Sequence, residues 1–381
     1  MKILSVVGAR PNFMKIAPLI HAINEYNNKK KEPKIKHILV HTGQHYDDNM
    51  SNIFFKSLNI PKADIHLNIG SGTHAMQVGK TMIEFEKVLK NEKPDWVVVL
   101  GDVNATLACS VTAKKEKIRV CHIEAGLRSN DMHMPEEINR IVTDSISDLL
   151  LTPDKLSSKN LLNEGKEESK IHFVGNIMID TLEANKETAS QLHISKIIEN
   201  NLIDKNPHTY KQGKEFSVVT MHRPSNVDDK TTLSEFVNFF NNTVSTKTII
   251  MWPVHPRTQK QLVQTGLWEI LKTNKEIIML NPLNYHEMLK LNMEANVFFT
   301  DSGGLQEECC VLGTPCITLR ETTERPITLK QNGGVSILVG SDINMISKEF
   351  ETIIDSTKSP KIPNLWDGNT AERCLDILIN N

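Results

Sequence analysis

Short apolar runs, each ending abruptly in a polar or glycine-bearing loop and separated by stretches of helical spacing, recur along this chain. In the first half they are Ile3–Val7, Lys36–His41, Trp96–Leu100, Ile118–Ile123, Leu149–Thr152 and Ile171–Val174. In the second half they are Phe216–Met221, Thr248–Trp252, Ile277–Leu280, Asn296–Thr300, Pro315–Leu319 and Val335–Leu338. Runs of this length, rich in β-branched residues and alternating with helical segments, predict parallel strands joined by crossover helices. Six strands in each half predict an α/β chain of two Rossmann-like domains facing each other across a cleft.

The expected division is residues 1–178 for the first domain and 179–366 for the second. Residues 367–381 form a helix of apolar periodicity, expected to cross back onto the first domain. The stretch Asp180 to Glu215 is polar, helix-permissive and poor in core residues, so it reads as a connector. A chain of 381 residues is too long for one ordinary core, which agrees with two domains.

Composition narrows the function by exclusion. A formal net charge of −2 offers no electrostatic case for nucleic acid or an anionic membrane as partner. A polyanionic substrate must then be met by a local cluster of cations. The six cysteines show no C-x-x-C and no spacing that suits a metal or disulfide framework, which predicts a reducing cytoplasm. The start, Met1 to Val7, is a strand-length run meeting Gly8-Ala9-Arg10 rather than a signal peptide. No apolar stretch is long enough to span a bilayer.

Chemistry concentrates where strands end. Trp96–Leu100 stops in Gly101-Asp102, and Ile118–Ile123 stops in Glu124-Ala125-Gly126. Neighbouring parallel strands place Asp102 and Glu124 side by side, where open α/β sheets bind ligands. Structural pairing with Arg128 or His122 is the alternative. Arg10 sits in the loop after the first strand and Lys15 on the following helix, two cations at one strand end that suit an anion. The loop is not G-x-G-x-x-G, so a nicotinamide cofactor is not implied. Pro135-Glu136-Glu137 reads as a helix start with its usual acids, which accounts for Glu137. Glu136 and Arg140, four apart, share a face and could simply pair with each other.

In the second half, Asp301-Ser302-Gly303-Gly304 lies between a strand and a helix. Two glycines let backbone N–H groups approach a ligand, and the helix N-terminus favours a diphosphate. Ser302 adds a hydroxyl, and Glu308, one turn further on, suits a ribose diol. Arg325 offers a planar grip on phosphate. Glu321 and Glu324 could instead tie Arg320 and Arg325 into structural pairs. His222 and His255, both at strand ends, read as ligands or proton donors to a leaving group. Neither H-E-x-x-H nor a Cys/His cluster occurs, so no metal is implied.

Taken in order, Gly8-Ala9-Arg10-Pro11, Gly101-Asp102, His122 to Arg128, Pro135-Glu136-Glu137 with Arg140, His222-Arg223, Pro253-Val254-His255, Ser302 to Glu308 and Thr323-Glu324-Arg325-Pro326 resemble the non-hydrolysing UDP-N-acetylglucosamine 2-epimerases. The resemblance runs from residue 3 to about residue 340. It implies the GT-B arrangement, a homodimer and no cofactor. It implies interconversion of UDP-GlcNAc and UDP-ManNAc through loss of UDP to 2-acetamidoglucal and its re-addition, feeding bacterial surface polysaccharides. It assigns acid and base roles to Asp102, Glu124 and Glu136, with His222 assisting the departing diphosphate among Arg10, Lys15 and Arg140. Ser302, Gly303, Gly304 and Arg325 would hold phosphate, Glu308 the ribose, and His255 would also contact substrate. Leu283 and Met288 stand where some relatives carry Gln and Phe, so contacts to the base there would come from the backbone. Gln44 and His45 match a region where bacterial members bind activating substrate. Arg10-Pro11-Asn12, where hydrolysing relatives resemble Arg-Ala-Asp, favours the non-hydrolysing branch.

Three other readings use the same features. A GT-B glycosyltransferase would share the UDP grip but need an acceptor. A nucleotide-sugar sensor would have no use for three acids. A 2-epimerase of a modified UDP-sugar, such as a 2,3-diacetamido uronate or a 6-deoxy sugar, would differ only in contacts to C3 and C6.

Overall fold

The computed structural model describes residues 1–29, 32–43, 58, 60–203 and 208–381, with Arg10 and Pro11 described in backbone only. The chain divides into two compact units, one formed by Met1–Ala184 with Asn364–Asn381 and the other by Asn185–Pro363.

The first unit carries a seven-stranded sheet: β1 (Lys2–Val7), β2 (Lys36–His41), β3 (Ile65–His66), β4 (Trp96–Leu100), β5 (Arg119–Ile123), β6 (Leu149–Thr152) and β7 (Ile171–Phe173). Its order is β3-β2-β1-β4-β5-β6-β7, and every pairing is parallel. The expected six strands become seven because Ile65–His66 adds an edge to β2. Two residues are too few to leave an alternating pattern in the sequence.

The second unit carries six parallel strands: β8 (Phe216–Thr220), β9 (Ile249–Pro253), β10 (Ile277–Leu280), β11 (Val297–Thr300), β12 (Cys316–Thr318) and β13 (Ser336–Leu338). They run in the order β10-β9-β8-β11-β12-β13. Both sheets reverse direction of growth once, between β1 and β4 and between β8 and β11. Those switch points are where loops at the carboxyl ends diverge and leave room for ligands.

The strands are apolar on both faces because helices cover both sides. In the second sheet, Val219, Trp252, Met279 and Phe299 pack into one core. Their neighbours Val218, Met251, Ile278 and Phe298 pack into another on the opposite face.

The stretch expected to be a helix-permissive connector poor in core residues is helical but does contribute to the core. Residues Ile177–Ser190 and Ile194–Asn201 are helices, and Ile194, Ile197 and Ile198 are buried in the second core beside Phe216, Ile278 and Leu280. Their i, i+3, i+4 spacing makes one apolar stripe, diluted in the sequence by polar flanks. Helix Thr370–Asn380 belongs to the first unit. Its start is held by Asp180, whose carboxylate accepts from Thr370 N at 3.1 Å and Ala371 N at 2.7 Å. Trp366 Nε1, just before it, donates to the Pro153 carbonyl at 2.8 Å. Among the described residues, no helix is long and apolar enough to cross a membrane.

Replacing Ile198 by Ala should lower stability by about 2–5 kcal/mol, read from urea unfolding. A loss well below about 1 kcal/mol would place the helix outside the core.

Candidate active site

In the first unit the register sets Leu100 level with Ile123, and Gly101 N donates to the Ile123 carbonyl at 3.2 Å. The chain must then turn out of the sheet at two adjacent places. Gly101 does so at φ +65°, and Glu124 does so at φ +76°, a left-handed conformation costly for a residue with a Cβ, about 1–3 kcal/mol. Glu124 is held there by its N–H and that of Ala125, which both donate to the Leu151 carbonyl at 3.0 Å. Its carboxylate pairs with the Lys15 ammonium, and both side chains are buried. A Cβ on Gly101 would lie 2.8 Å from Lys15 Nζ and 3.1 Å from Glu124 Oε2. A side chain there would have to displace the ion pair packed against it.

Asn12 ties the first loop to the same place. Its Oδ1 accepts from Gly8 N and Ala9 N at 3.1 Å, and its Nδ2 donates to the Leu100 carbonyl at 2.9 Å. The sequence marks Asn12 only as part of the Arg10-Pro11-Asn12 branch signature, because an asparagine near a helix start carries no distinctive signal of such a tether. Arg10 opens helix Arg10–Asn28.

Helix Pro135–Ile146 brings Arg140 into the unit's interior. Its guanidinium donates to Asp102 Oδ2, and its Nε donates to Glu137 Oε2 at 2.9 Å. Glu137 is buried and also accepts from Ser129 N at 3.0 Å and Asn130 N at 2.8 Å. Glu137 is thus an organising carboxylate, not the ordinary helix-start acid its position implied. Arg140 pairs with Glu137, three residues back, rather than with Glu136. Glu136 stands partly exposed, with no hydrogen bond or ion pair among the described residues. Asp102 also has its carbonyl tied down, accepting from Asn139 Nδ2 at 2.8 Å.

His122 and Arg128 do not pair with Asp102 or Glu124. Both go to Asp144, a buried carboxylate whose partners nothing local in the sequence signals. His122 Nδ1 lies 2.6 Å from Asp144 Oδ1 and Nε2 lies 2.9 Å from the Gly101 carbonyl. Arg128 reaches Asp144 Oδ2 at 2.7 Å and clasps Glu164 through two bonds of 2.7 Å. Burial alone would raise the Asp144 pKa, but the His122 ring and the Arg128 guanidinium reverse the sign and hold it low. This network fixes the Gly101 peptide from behind.

In the second unit, Thr300 lies level with Thr220, and their hydroxyls meet at 2.8 Å. Ser302 begins helix Gly303–Leu312 without using its side chain as a cap. Among the described residues, the N–H groups of Gly303 and Gly304 donate to no protein group, so the helix start presents free donors. A Cβ on Gly303 would lie 2.6 Å from Glu324 Oε1 and 2.9 Å from Arg325 Nη1. Behind this turn Arg325 pairs with Glu324 and Glu307, and Arg320 pairs with Glu324 at 2.6 Å, all of them buried. Arg325 therefore reaches the turn as part of a balanced cluster of two cations and two anions.

His222 follows β8 with its side chain 41% exposed and its ring 5.4 Å from that of His255. His255 caps helix Pro256–Thr265, its Nδ1 accepting from Arg257 N at 3.2 Å. Glu308 is only 2% exposed, and burial raises its pKa to about 7. Hydrogen bonds from Tyr285 and Asn292 pull the other way, while Glu307 adds to the rise. Leu283 is buried in the core and Met288 packs against it. Gln44 and His45 lie outside the described residues. Among the described residues, no group of three or more His, Cys, Asp or Glu could hold a metal ion.

The model of the family described as UDP-N-acetylglucosamine 2-epimerase matches residues 27–379. The UDP-N-acetylglucosamine 2-epimerase of Methanocaldococcus jannaschii is 42% identical over 380 residues, 99% of each chain. Its crystal structure in complex with UDP-GlcNAc and UDP superposes with a TM-score of 0.88 at 41% identity, covering 100% of both chains. The UDP-2,3-diacetamido-2,3-dideoxy-D-glucuronate 2-epimerase of Pseudomonas aeruginosa is 38% identical over 361 residues, 94% of this chain and 93% of that one.

Replacing Glu137 by Gln removes one of the two carboxylates that neutralise the buried Arg140. The expected loss is about 3–5 kcal/mol of stability in urea unfolding. A variant as stable as the parent would show that Asp102 alone suffices for Arg140.

Proposed function

Since this chain belongs to the UDP-N-acetylglucosamine 2-epimerase family, and so is an epimerase within the isomerases, we propose that it interconverts UDP-GlcNAc and UDP-ManNAc without net hydrolysis. The observation that carries this reading is the first unit's pair of adjoining strand ends. There Asp102 and Glu124 each meet a buried cation, and Glu136, on the following helix, has no ion pair among the described residues.

Inversion at C2 needs the C2 proton removed from one face and returned to the other. The C2–H is weakly acidic, so its loss must be coupled to departure of UDP from C1, giving 2-acetamidoglucal and UDP. In the return step a carboxylic acid delivers a proton to the opposite face of C2 and UDP reattacks C1. Asp102, Glu124 and Glu136 are the groups we assign to these transfers. Their surroundings differ, two held by cations and one without an ion pair among the described residues, and such differences let carboxyl groups divide acid and base roles. Arg10, Lys15 and Arg140 belong to the same anion-binding region in this reading. Lys15 and Arg140 already neutralise Glu124 and Asp102, so they set the charge of the acids as much as that of the substrate.

In the second unit, Ser302, Gly303, Gly304 and Arg325 are assigned to the diphosphate, where free helix N–H groups favour negative charge. Glu308 is assigned to the ribose, His255 to substrate contact, and Leu283 and Met288 to the uracil through their backbone. His222 is assigned as proton donor to the departing diphosphate. The reading includes a homodimer; exposed Met76 and Ile83, seven apart on helix His74–Glu92, offer an apolar strip for a second copy. A second substrate, a UDP-2,3-diacetamido uronate, is favoured by the Pseudomonas aeruginosa relative.

The test is incubation with UDP-GlcNAc in D₂O without acceptor, followed by NMR. Deuterium at C2 of both UDP-sugars is the expected outcome. Free ManNAc would mean hydrolysis, and no exchange would reject this substrate and move the test to the diacetamido uronate. Glu124→Gln should bind UDP normally and lose about 10²–10⁴ in kcat.

Ribose hydroxyls donate to an ionised carboxylate, and the Glu308 pKa is raised to about 7. Binding that uses this group should weaken as pH falls below 7, about tenfold per unit at the limit. Calorimetry of UDP binding at pH 6 and pH 8 should show this component in the parent and lose it in Glu308→Gln. The phosphate's own titration is common to both proteins and cancels in the comparison.

A further inference from the structure

Directly behind His222 lies a carboxylate that no step above uses. Asp301 is wholly buried at the end of β11, one strand over from β8. Its Oδ2 accepts from three donors: His222 N at 2.9 Å, Arg223 N at 2.9 Å and Asn226 Nδ2 at 3.1 Å. Its Oδ1 has no aligned hydrogen-bond partner among the described residues but lies 2.8 Å from His222 Nδ1, a close ionic contact. The loop is tied back a second time, because Arg223 Nε donates to the Asp301 carbonyl at 2.9 Å.

This arrangement dictates more than position. An ionised carboxylate can only accept, so the ring nitrogen facing it must carry hydrogen. Asp301 is kept ionised: burial would raise its pKa, but the His222 ring and the N–H groups of His222 and Arg223 outweigh burial and lower it. In the neutral ring the hydrogen is then on Nδ1, and Nε2 is left with a lone pair on the exposed side. Among the described residues Nε2 has no protein partner.

We infer that Asp301 is a positioning residue for epimerisation, holding His222 in the Nδ1–H tautomer so that Nε2 alone takes and gives the proton exchanged with the UDP diphosphate. The inference rests on the reading of His222 as proton donor. When UDP leaves C1, the proton passes from Nε2 to a phosphate oxygen, and the ring becomes neutral with its Nδ1–H still facing Asp301. When UDP re-adds, the same proton returns to Nε2. Asp301 remains ionised throughout, and over the full cycle the pair neither gains nor loses a proton.

Asp301→Asn is the discriminating variant, because the two backbone N–H groups at Oδ2 decide how the amide must sit. They require the amide oxygen, which turns the NH₂ group toward His222 Nδ1. That nitrogen must now accept, and the ring hydrogen moves to Nε2, the wrong side. Size and shape are otherwise preserved.

The measurement is ¹⁵N NMR of histidine-labelled protein at pH 9, with His222 assigned by its absence in His222→Gln. The parent should show Nδ1–H and Asp301→Asn should show Nε2–H. Turnover of Asp301→Asn should fall ~10²–10⁴-fold, with UDP affinity within about threefold of the parent. His222→Gln combined with Asp301→Asn should be no slower than His222→Gln alone, within about twofold. An Nε2–H tautomer in the parent overturns the inference and needs no variant to detect. A tautomer unchanged in Asp301→Asn, wild-type turnover in that variant, or multiplied losses in the double variant also overturns it. Wild-type turnover in His222→Gln overturns the proton-donor reading and its catalytic consequence, while the tautomer measurement still decides whether Asp301 holds the ring.

Discussion

A carboxylate that leaves water must be met by a cation or by several N–H donors, and this requirement shapes the carboxyl ends of both sheets. Glu124 is met by Lys15, Glu137 by Arg140 and two backbone N–H groups, and Asp144 by His122 and Arg128. Asp301 is met by His222, Arg223 and Asn226, and Glu307 and Glu324 by Arg325 and Arg320. The loops between strands and helices are short, and their paths follow from these pairings. Removing one member would leave its partner charged and dry, so the loops cannot rearrange one at a time.

Pairing also has a geometric cost, which the backbone absorbs at particular places. A Cβ on Gly101 would crowd the Lys15–Glu124 pair, and one on Gly303 would crowd the Glu324–Arg325 pair. Glu124 accepts a left-handed backbone instead, since its carboxylate cannot be given up. Strain beside a buried ion pair at a sheet's switch point is the form expected of a site that must hold charge in one position.

Within each unit, catalytic groups are backed by groups that touch no substrate in the proposed reaction. Asn12 and His122 hold the loops around Gly101, Glu137 holds Arg140 against Asp102, and Asp301 holds His222. In the proposed reaction these backing residues would set protonation and direction, while the groups in front of them exchange protons. A proton shuttle that works in both directions depends on this division, because each acid must return to its starting state after every turnover.

Much of this was legible in the chain. Short apolar runs ending abruptly in polar or glycine-bearing loops located nearly every strand, and the strand ends located Asp102, Glu124, His222 and the Ser302-Gly303-Gly304 turn. Local pattern suffices there because strand, turn and helix start are each written within a few neighbouring residues. The two-residue strand Ile65–His66 and the isoleucine stripe of Ile194–Asn201 were too short or too diluted to read. The partners were beyond the sequence altogether. Nothing local tells that Arg140 turns to Glu137 and Asp102 rather than Glu136, or that His122 and Arg128 both go to Asp144. Nor does it tell that Asp301 faces the ring of a residue 79 positions away. The sequence by itself determined which residues carry charge and which strand ends present them. Tertiary structure alone decided which charges meet, because pairing depends on the register between strands distant in the chain and on the exclusion of water around them.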